Sequence, residues 1–143
     1  MKVGIIGAGV VGSALMRYFY RDTEHLVFVR DPQKGYNQDV SGCDAIFISV
    51  PVPTRASGEL DLKILETVLK DFRGTRTPLF IKSTVTPGTT DLLTKRFDCC
   101  LYSMPEFLTE RSADHDMRWH PILTGCPLPI VEDLFENRVI IRV

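Results

Sequence analysis

Short apolar runs alternate with amphipathic segments along this chain of 143 residues. The apolar runs are rich in valine, isoleucine and phenylalanine and are mostly unbroken by polar residues, which is typical of strands covered on both faces. They predict five strands, at residues 2–6, 26–30, 44–50, 78–82 and 99–102. The residues between these runs follow a different period.

Two segments between the predicted strands have the spacing of amphipathic helices. The first stripe consists of Val11, Ala14, Leu15, Tyr18 and Phe19. The second consists of Leu62, Ile64, Leu65, Val68, Leu69 and Phe72, with Asp61 before it as the predicted N-cap. This alternation predicts an α/β fold of the Rossmann type: a doubly wound, mostly parallel sheet of about six to seven strands with helices on both faces.

Length and charge narrow the classes of protein that fit this pattern. At this length we expect residues 1–143 to form a single domain. The 17 lysines and arginines against 18 acidic residues give a net charge of -1, so we expect no nucleic-acid partner, which would need a basic face. The longest apolar stretch, residues 45–52, contains Ser49 and Pro51 and is far shorter than the ~20 residues of a membrane-spanning helix, so we expect no membrane partner.

The cysteines and the N-terminal residues favour a cytoplasmic location. Four cysteines are present, none in a C-x-x-C pair or at metal-ligand spacing from a histidine: Cys43, Cys99, Cys100 and Cys126. We interpret them as reduced, buried thiols, with Cys99 and Cys100 inside the fifth strand. The apolar N-terminus imitates a secretory signal, but its glycines fit a different role.

Those glycines form the motif G-A-G-V-V-G at residues 7–12, between the first strand and the first helix. In this context the motif predicts a dinucleotide-binding loop. Gly7 permits the tight turn, Gly9 lets the backbone approach a pyrophosphate, and Gly12 lets the helix pack close to the strand. The phosphates are then expected at the positive end of the helix, beside Val10 and Val11.

An acidic residue at the end of the second strand completes a Rossmann site by holding the adenosine ribose hydroxyls. Asp31 lies 19 residues after Gly12 and predicts NAD as the cofactor. Its neighbour Arg30 is the type of residue that accommodates the 2′-phosphate of NADP, and a shift of one residue in register would exchange their roles. NAD is favoured and NADP stays as the alternative.

Three later segments follow the third, fourth and fifth predicted strands. They read V-P-V-P-T at residues 50–54, K-S-T-V-T-P-G-T at residues 82–89 and M-P-E-F-L-T-E-R-S-A at residues 104–113. With the glycine motif, in this order, they closely resemble the N-terminal NAD-binding domain of the UDP-glucose/GDP-mannose (nucleotide-sugar 6-) dehydrogenase family. That family has V-P-T-P-T, K-S-T-V-P-x-G-T and P-E-F-L-x-E-G-x-A in the same places.

The resemblance continues more weakly to the end of the chain. Residues 120–125 resemble the next strand of the family, residues 128–135 the following short helix, and residues 138–143 the strand that closes this domain. The family's next parts would be a central helix that builds the dimer and a second domain with the catalytic cysteine. We expect both to be absent from this chain.

The carboxyl ends of parallel strands meet above the sheet, so these loops are expected to surround the nicotinamide. The expected cofactor contacts outside the glycine motif and the second strand are Val50, Pro51, Thr54, Ser83, Thr84 and Glu110. The resemblance implies that Glu106 assists proton movement through a water activated alongside Thr84. It also implies that the sugar and the nicotinamide are lined by Phe107, Leu108, Thr109 and Glu110.

Several positions depart from the family pattern. Arg111 stands where the family has glycine, beside the expected sugar loop, and Thr86 stands where it has proline. Lys82 ends the fourth strand, and we interpret its side chain as extending outward to solvent. Two successive hydride transfers require an activated cysteine to hold the aldehyde. None of the four cysteines lies in the family's G-x-C-x-x-K-D context.

Four functions remain open from the sequence. The favoured one is a cofactor-binding domain resembling UDP-glucose 6-dehydrogenase that cannot complete the reaction alone. A second is half of a split dehydrogenase, completed by another polypeptide. A third is a non-catalytic regulatory module that binds a dinucleotide, a nucleotide sugar or a full-length dehydrogenase. If the chain forms a homo-oligomer, we expect it to use surfaces other than the family's central helix. A reductase for small hydroxy acids is the fourth, and the P-E-F-L segment argues against it.

Overall fold

The computed structural model of the protein describes residues 1–127 and 129–143, and in these ranges strands and helices alternate. The strands are β1 (Lys2–Ile6), β2 (Leu26–Asp31), β3 (Tyr36–Asn37), β4 (Ala45–Ile48), β5 (Leu79–Ile81), β6 (Leu101–Ser103), β7 (Ile122–Thr124) and β8 (Ile140–Arg142). The α-helices are α1 (Val10–Asp22), α2 (Lys63–Lys70), α3 (Thr89–Phe97), α4 (Ala113–Trp119) and α5 (Ile130–Leu134).

Six of the strands form one sheet in the order β3-β2-β1-β4-β5-β6. All neighbours in it are parallel except β3, which pairs antiparallel with β2 at the edge. The strand order reverses at β1, between β2 and β4, which is where an open α/β sheet places its ligand. The predicted Rossmann-like, mostly parallel sheet of about six to seven strands is confirmed, and it has six strands.

The last two strands form a separate parallel pair, β7 with β8. The Gly125 N–H donates to the Ser103 carbonyl oxygen at 3.0 Å, so this pair continues from the β6 edge of the main sheet. The N–H of Val143 donates to the Thr124 carbonyl oxygen at 3.1 Å and extends the pairing of β8 with β7. The sequence predicted a strand in each of these two places.

The core has two apolar layers, one on each face of the sheet. One layer stacks aromatic rings, with the centroid of Phe47 5.2 Å from that of Phe80 and 5.5 Å from that of Phe19. The other packs α2 and α3 on the opposite face through Leu65, Leu69 and Phe97. Burial on both faces explains why the strand sequences are nearly continuous apolar runs.

Some element boundaries differ from the prediction. Cys99 and Cys100 are not in a strand, because β6 begins at Leu101 after a left-handed residue, Asp98, that ends α3. Helix α2 begins at Lys63 with Leu62 as its N-cap residue, so the prediction of Asp61 as the N-cap is wrong by one residue. The Asp61 carboxylate still accepts the Lys63 N–H at 3.1 Å. Residue 128, the first of the predicted helix 128–135, lies outside the described residues.

The described residues add three further findings. No helix among them is long and apolar enough to cross a membrane. They contain no group of three or more potential metal ligands. The cysteines form no disulfide, and Cys43, Cys99 and Cys126 are buried while Cys100 is half-buried. Burial raises the pKa of the Cys43 and Cys99 thiols.

Candidate functional site

The glycine loop between β1 and α1 is shaped by close contacts between backbones. Gly7 has a φ of +89°, and a Cβ there would lie 2.6 Å from the Ser49 carbonyl oxygen. A Cβ on Gly12 would lie 1.8 Å from the Gly7 carbonyl oxygen. A Cβ on Gly9 would have no atom within 4 Å, so the loop presents bare backbone to solvent at that residue. The roles predicted for the first and third glycines match this geometry.

A cavity of about 350 Å³ lies above the carboxyl ends of β4 and β5, and we call it the strand-end cavity. Its lining includes eight of the predicted site residues: Gly9, Val10, Val11, Val50, Pro51, Ser83, Thr84 and Glu106. Ser49, Val52 and Lys82 also line it. Val52 lies in a loop that was expected at the nicotinamide, whereas the sequence did not indicate Ser49. The folded chain therefore brings together residues from four separate loops.

A second cavity, of about 370 Å³, lies at the end of β2, and we call it the β2 cavity. It is lined by the predicted residues Gly7, Arg30 and Asp31, and by Lys34 and two apolar side chains of α2, Ile64 and Val68. Both cavities share Gly9 and residues 49–51. The two spaces thus meet at the exposed glycine of the loop.

Two side chains from the β2 end hold the glycine loop at Ala8. The Ala8 N–H donates to the Asp31 carboxylate at 2.7 Å, and the Lys34 ammonium donates to the Ala8 carbonyl oxygen at 2.5 Å. Lys34 was missed from the sequence, because its place after a Pro32–Lys34 turn carries no pattern of its own. Both contacts fix the loop beside the β2 cavity.

Arg30 is held away from Asp31 by contacts with the end of α2. Its guanidinium forms an ion pair with Asp71 at 3.1 Å and lies over the Phe72 ring, 5.6 Å from the centroid. The alternation of side chains along β2 places the two neighbours on opposite faces. The Asp31 carboxylate, and not the Arg30 guanidinium, is therefore the group that contacts the glycine loop.

Lys82 is not exposed, and the prediction that it extends to solvent is wrong. Its ammonium forms an ion pair with the Glu106 carboxylate at 2.7 Å, and the two side chains are 2% and 11% exposed. Burial lowers the pKa of Lys82, and the nearby Glu106 carboxylate opposes that shift. A charged strand-end side chain extends outward only when no partner is within reach, and the loop after β6 supplies one.

Hydroxyl groups join the other loops around the strand-end cavity. The Ser83 hydroxyl donates to the Val50 carbonyl oxygen at 2.6 Å, which ties the loop after β5 to that after β4. Thr84 is exposed next to it. The Ser49 Oγ is buried between the two cavities, and within the described part of the chain it has no hydrogen-bond partner. A polar atom left without a partner at this depth is suited to a polar ligand.

The other predicted residues line neither cavity. Thr54 is exposed and pairs with Leu60 across a small bridge. Phe107 is 58% exposed, whereas Leu108 packs against the core. Glu110 lies with Arg111 in a shallow groove further along the same loop. The remaining one, Thr109, donates hydrogen bonds to the Asp116 carboxylate.

Asp116 in α4 anchors the loop that carries Glu106. One oxygen of its carboxylate accepts the Thr109 N–H at 2.9 Å, the Thr109 hydroxyl at 3.2 Å and the Ser112 hydroxyl at 2.7 Å. The hydrogen bonds from the Thr109 N–H and the Ser112 hydroxyl lower the pKa of Asp116 to about 2. The loop is therefore fixed at both ends, by Lys82 and by Asp116.

Replacing Asp116 with asparagine is expected to lower the melting temperature at neutral pH. The carboxylate has a lower pKa in the folded than in the unfolded chain, so its contribution is full above about pH 4 and is lost as the pH falls towards 2. Thermal unfolding followed by circular dichroism should show the two proteins converging over that range.

Asp114→Asn on the same helix is the matched control. Asp114 is half-exposed in its ion pair with Arg17, so we expect a smaller change in melting temperature. Equal melting temperatures of Asp116→Asn and the unchanged chain at neutral pH would contradict the role given to this anchor.

Comparison with known proteins agrees with the geometry. Residues 23–126 match the UDP-glucose/GDP-mannose dehydrogenase family, NAD binding domain. The match covers more than half of the chain and spans the β2, β4, β5 and β6 loops of the site. The glycine loop precedes the matched range.

Individual relatives support the same assignment. The putative UDP-glucose 6-dehydrogenase YtcA of Bacillus subtilis is 37% identical over 136 residues, which cover 84% of this chain and 30% of YtcA. The UDP-glucose 6-dehydrogenase of Rickettsia conorii is 38% identical over 89 residues, covering 57% of this chain and 21% of that enzyme. The chain thus spans less than a third of the length of either relative.

Solved structures share the fold at lower identity. GDP-mannose dehydrogenase from Pseudomonas aeruginosa superposes with a TM-score of 0.72 at 22% identity, over 99% of this chain and 46% of that one. UDP-D-ManNAc dehydrogenase from Pyrococcus horikoshii gives the same TM-score at 17% identity and the same coverage. On the match to residues 23–126, the chain belongs to the UDP-glucose/GDP-mannose dehydrogenase family, and its fold is that of the family's NAD binding domain.

Proposed function

We propose that the chain binds NAD across its two cavities, with the pyrophosphate at Gly9, the adenosine in the β2 cavity and the nicotinamide in the strand-end cavity. The observation that carries this proposal is the meeting of both cavities at Gly9, where the backbone is open. The N–H groups of the first turn of α1, which have no partner within the helix, and the positive end of the helix favour an anion there. The apolar walls from Ile64 and Val68 suit an adenine ring.

The choice of NAD over NADP rests on Asp31. Its carboxylate lies beside the glycine loop, where it can accept hydrogen bonds from ribose hydroxyls and repels a 2′-phosphate. Arg30, the residue that would favour NADP, is occupied by Asp71 and Phe72. These contacts support the role that the sequence gave to each neighbour.

Alcohol oxidation is the chemistry that this site would support in a longer enzyme. Bound NAD supplies a hydride acceptor. The Glu106 carboxylate, held by Lys82, and the exposed Thr84 hydroxyl face the same cavity and are the groups we assign to proton movement. Phe107, Leu108, Thr109 and Glu110 follow Glu106 and are assigned to a nucleotide sugar; they line neither the strand-end cavity nor the β2 cavity.

A second polypeptide is the candidate source of the cysteine chemistry that the reaction needs. The chain spans 21% to 30% of the length of the two curated relatives above, and its Cys43 and Cys99 thiols are buried with raised pKa. A nucleophilic cysteine needs the opposite environment. Mixing the chain with NAD, UDP-glucose and candidate cysteine-domain polypeptides should then give NADH; no NADH with any partner would contradict a split dehydrogenase.

Calorimetric titration with NAD, NADP and UDP-glucose tests the cofactor assignment. We expect NAD to bind at least about tenfold more tightly than NADP, because the phosphate meets the Asp31 carboxylate. Asp31→Asn keeps an acceptor for the Ala8 N–H and removes the charge, so NAD affinity should fall by about tenfold and the preference should shrink.

Asp91→Asn provides the matched control, because Asp91 is exposed on α3 and lines neither cavity. It should leave both affinities unchanged. Failure of the unchanged chain to bind either dinucleotide would contradict the proposed function, and equal affinity for NAD and NADP would contradict the role of Asp31.

A further inference from the structure

The ion pair between Lys82 and Glu106 supplies the charged groups that line the strand-end cavity. Lys82 is nearly inaccessible, and the other charged group that acts on it is Arg138, before β8. The Arg138 guanidinium is directed at the carbonyl oxygens of Met117 and His120 and lies over the Tyr18 ring. When both of its members are ionised, the pair has no net charge.

A buried site with few counterions favours occupants that leave it close to neutral. The nicotinamide ring is a cation in NAD and is neutral in NADH. With an ammonium at Lys82 and a carboxylate at Glu106, the oxidised ring adds one positive charge to the cavity. A neutral Lys82 amine would remove that excess, whereas with the reduced ring the ammonium form is already balanced.

We propose that Lys82 exchanges a proton in step with the redox form of the nicotinamide: the ammonium loses its proton when NAD binds and keeps it when NADH binds. This rests on the proposed function, which places the nicotinamide in the strand-end cavity beside the pair. Burial and the Arg138 charge both lower the pKa of Lys82, while Glu106 raises it, so the group is open to influence by one further charge.

The same exchange assigns Lys82 a place in an alcohol oxidation. The carbon–hydrogen bond breaks with its electron pair going to the nicotinamide, and the hydroxyl O–H bond breaks with its proton going to a base. The neutral Lys82 amine accepts that proton, through Glu106, and becomes the ammonium that balances the carboxylate once the ring is neutral. Charge in the cavity is therefore conserved across the reaction.

Proton release on binding tests the proposal with the 143-residue chain itself. Titrations with NAD and with NADH in two buffers of different ionisation enthalpy, from about pH 6 to about pH 9, measure the protons exchanged. We expect release approaching one proton per chain for NAD and none for NADH. The dissociation constant for NAD should fall by up to about tenfold per pH unit as the pH rises, with no such fall for NADH.

The double variant Lys82→Met, Glu106→Gln removes the titrating group without leaving a buried charge unpaired. It should bind NAD with no proton release and no pH dependence. Lys82→Arg keeps a cation that does not titrate, so NAD binding to it should also release no proton. This variant replaces the double variant in the experiment if the double variant does not fold. Lys95→Met, on the exposed surface of α3, is the control and should release protons as the unchanged chain does.

Two results would overturn the inference: equal proton release with NAD and NADH, or release that persists in the variants at Lys82. Binding of neither dinucleotide would instead contradict the proposed function, and the inference with it. Binding of both without any difference in protons would leave the proposed function standing and refute only the role of Lys82.

Discussion

Replacing Gly12 with alanine is expected to destabilise the domain by at least about 3 kcal/mol and to abolish dinucleotide binding. The added Cβ would lie 1.8 Å from the Gly7 carbonyl oxygen, and that atom belongs to the backbone of the turn. The Gly7 backbone is itself closely packed, since a Cβ on Gly7 would lie 2.6 Å from the Ser49 carbonyl oxygen, so the turn has little room to move. Chemical denaturation followed by circular dichroism measures the loss.

Gly9→Ala is the control that separates stability from binding. A Cβ on Gly9 meets no atom within 4 Å, and the residue has an ordinary negative φ, so the free energy of unfolding should change by less than about 0.5 kcal/mol. The methyl group would stand where the pyrophosphate is proposed to approach, and NAD binding should weaken. A stable Gly12→Ala protein with unchanged NAD affinity would contradict the account of this loop.

Replacing Lys82 alone with methionine is expected to cost about 3 kcal/mol of folding free energy, because the Glu106 carboxylate is then left buried without its partner. Glu106→Gln should cost a similar amount by leaving the ammonium unpaired. The double variant should be more stable than either single one, since it leaves no charge in the cavity. Urea unfolding of all four proteins completes the cycle.

The exposed pair Arg76 and Asp98 is the matched comparison for that cycle. Both side chains are about 70% exposed at a separation of 3.3 Å, so its coupling energy should be below about 1 kcal/mol. A coupling between Lys82 and Glu106 no larger than this would show that the cavity is well solvated, and it would remove the basis for treating the pair as buried.

The elements around the glycine loop could be predicted from the sequence because their causes are local. The apolar run of β1, the stripe of α1 and the three glycines each depend on neighbours within a few residues. The order of the later loops also follows, since parallel strands place their carboxyl ends together. Asp31 was found in the same way, from its distance along the chain.

The pairing of Lys82 could not be predicted, because its partner lies 24 residues later and comes within reach only when β6 lies beside β5. Lys34 was missed for a related reason, since its contact is with a backbone oxygen and leaves no trace in side-chain pattern. The boundary of β6 was misplaced because two apolar cysteines extend its run, although the backbone turns at Asp98. The pattern of apolar and polar residues therefore does not predict contacts between residues that are distant along the chain.

The position of Arg138 sets a limit on how small a working version of this domain can be. The six-stranded sheet and both cavities are complete by residue 106, yet the guanidinium that acts on Lys82 comes from a segment outside that sheet. Arg138 also caps the carbonyl oxygens at the end of α4, the helix whose Asp116 anchors the loop of Glu106. A shortened version ending after residue 106 would keep the residues that line both cavities. It would lose the Arg138 guanidinium together with α4 and α5, whose apolar side chains form part of the core on one face of the sheet.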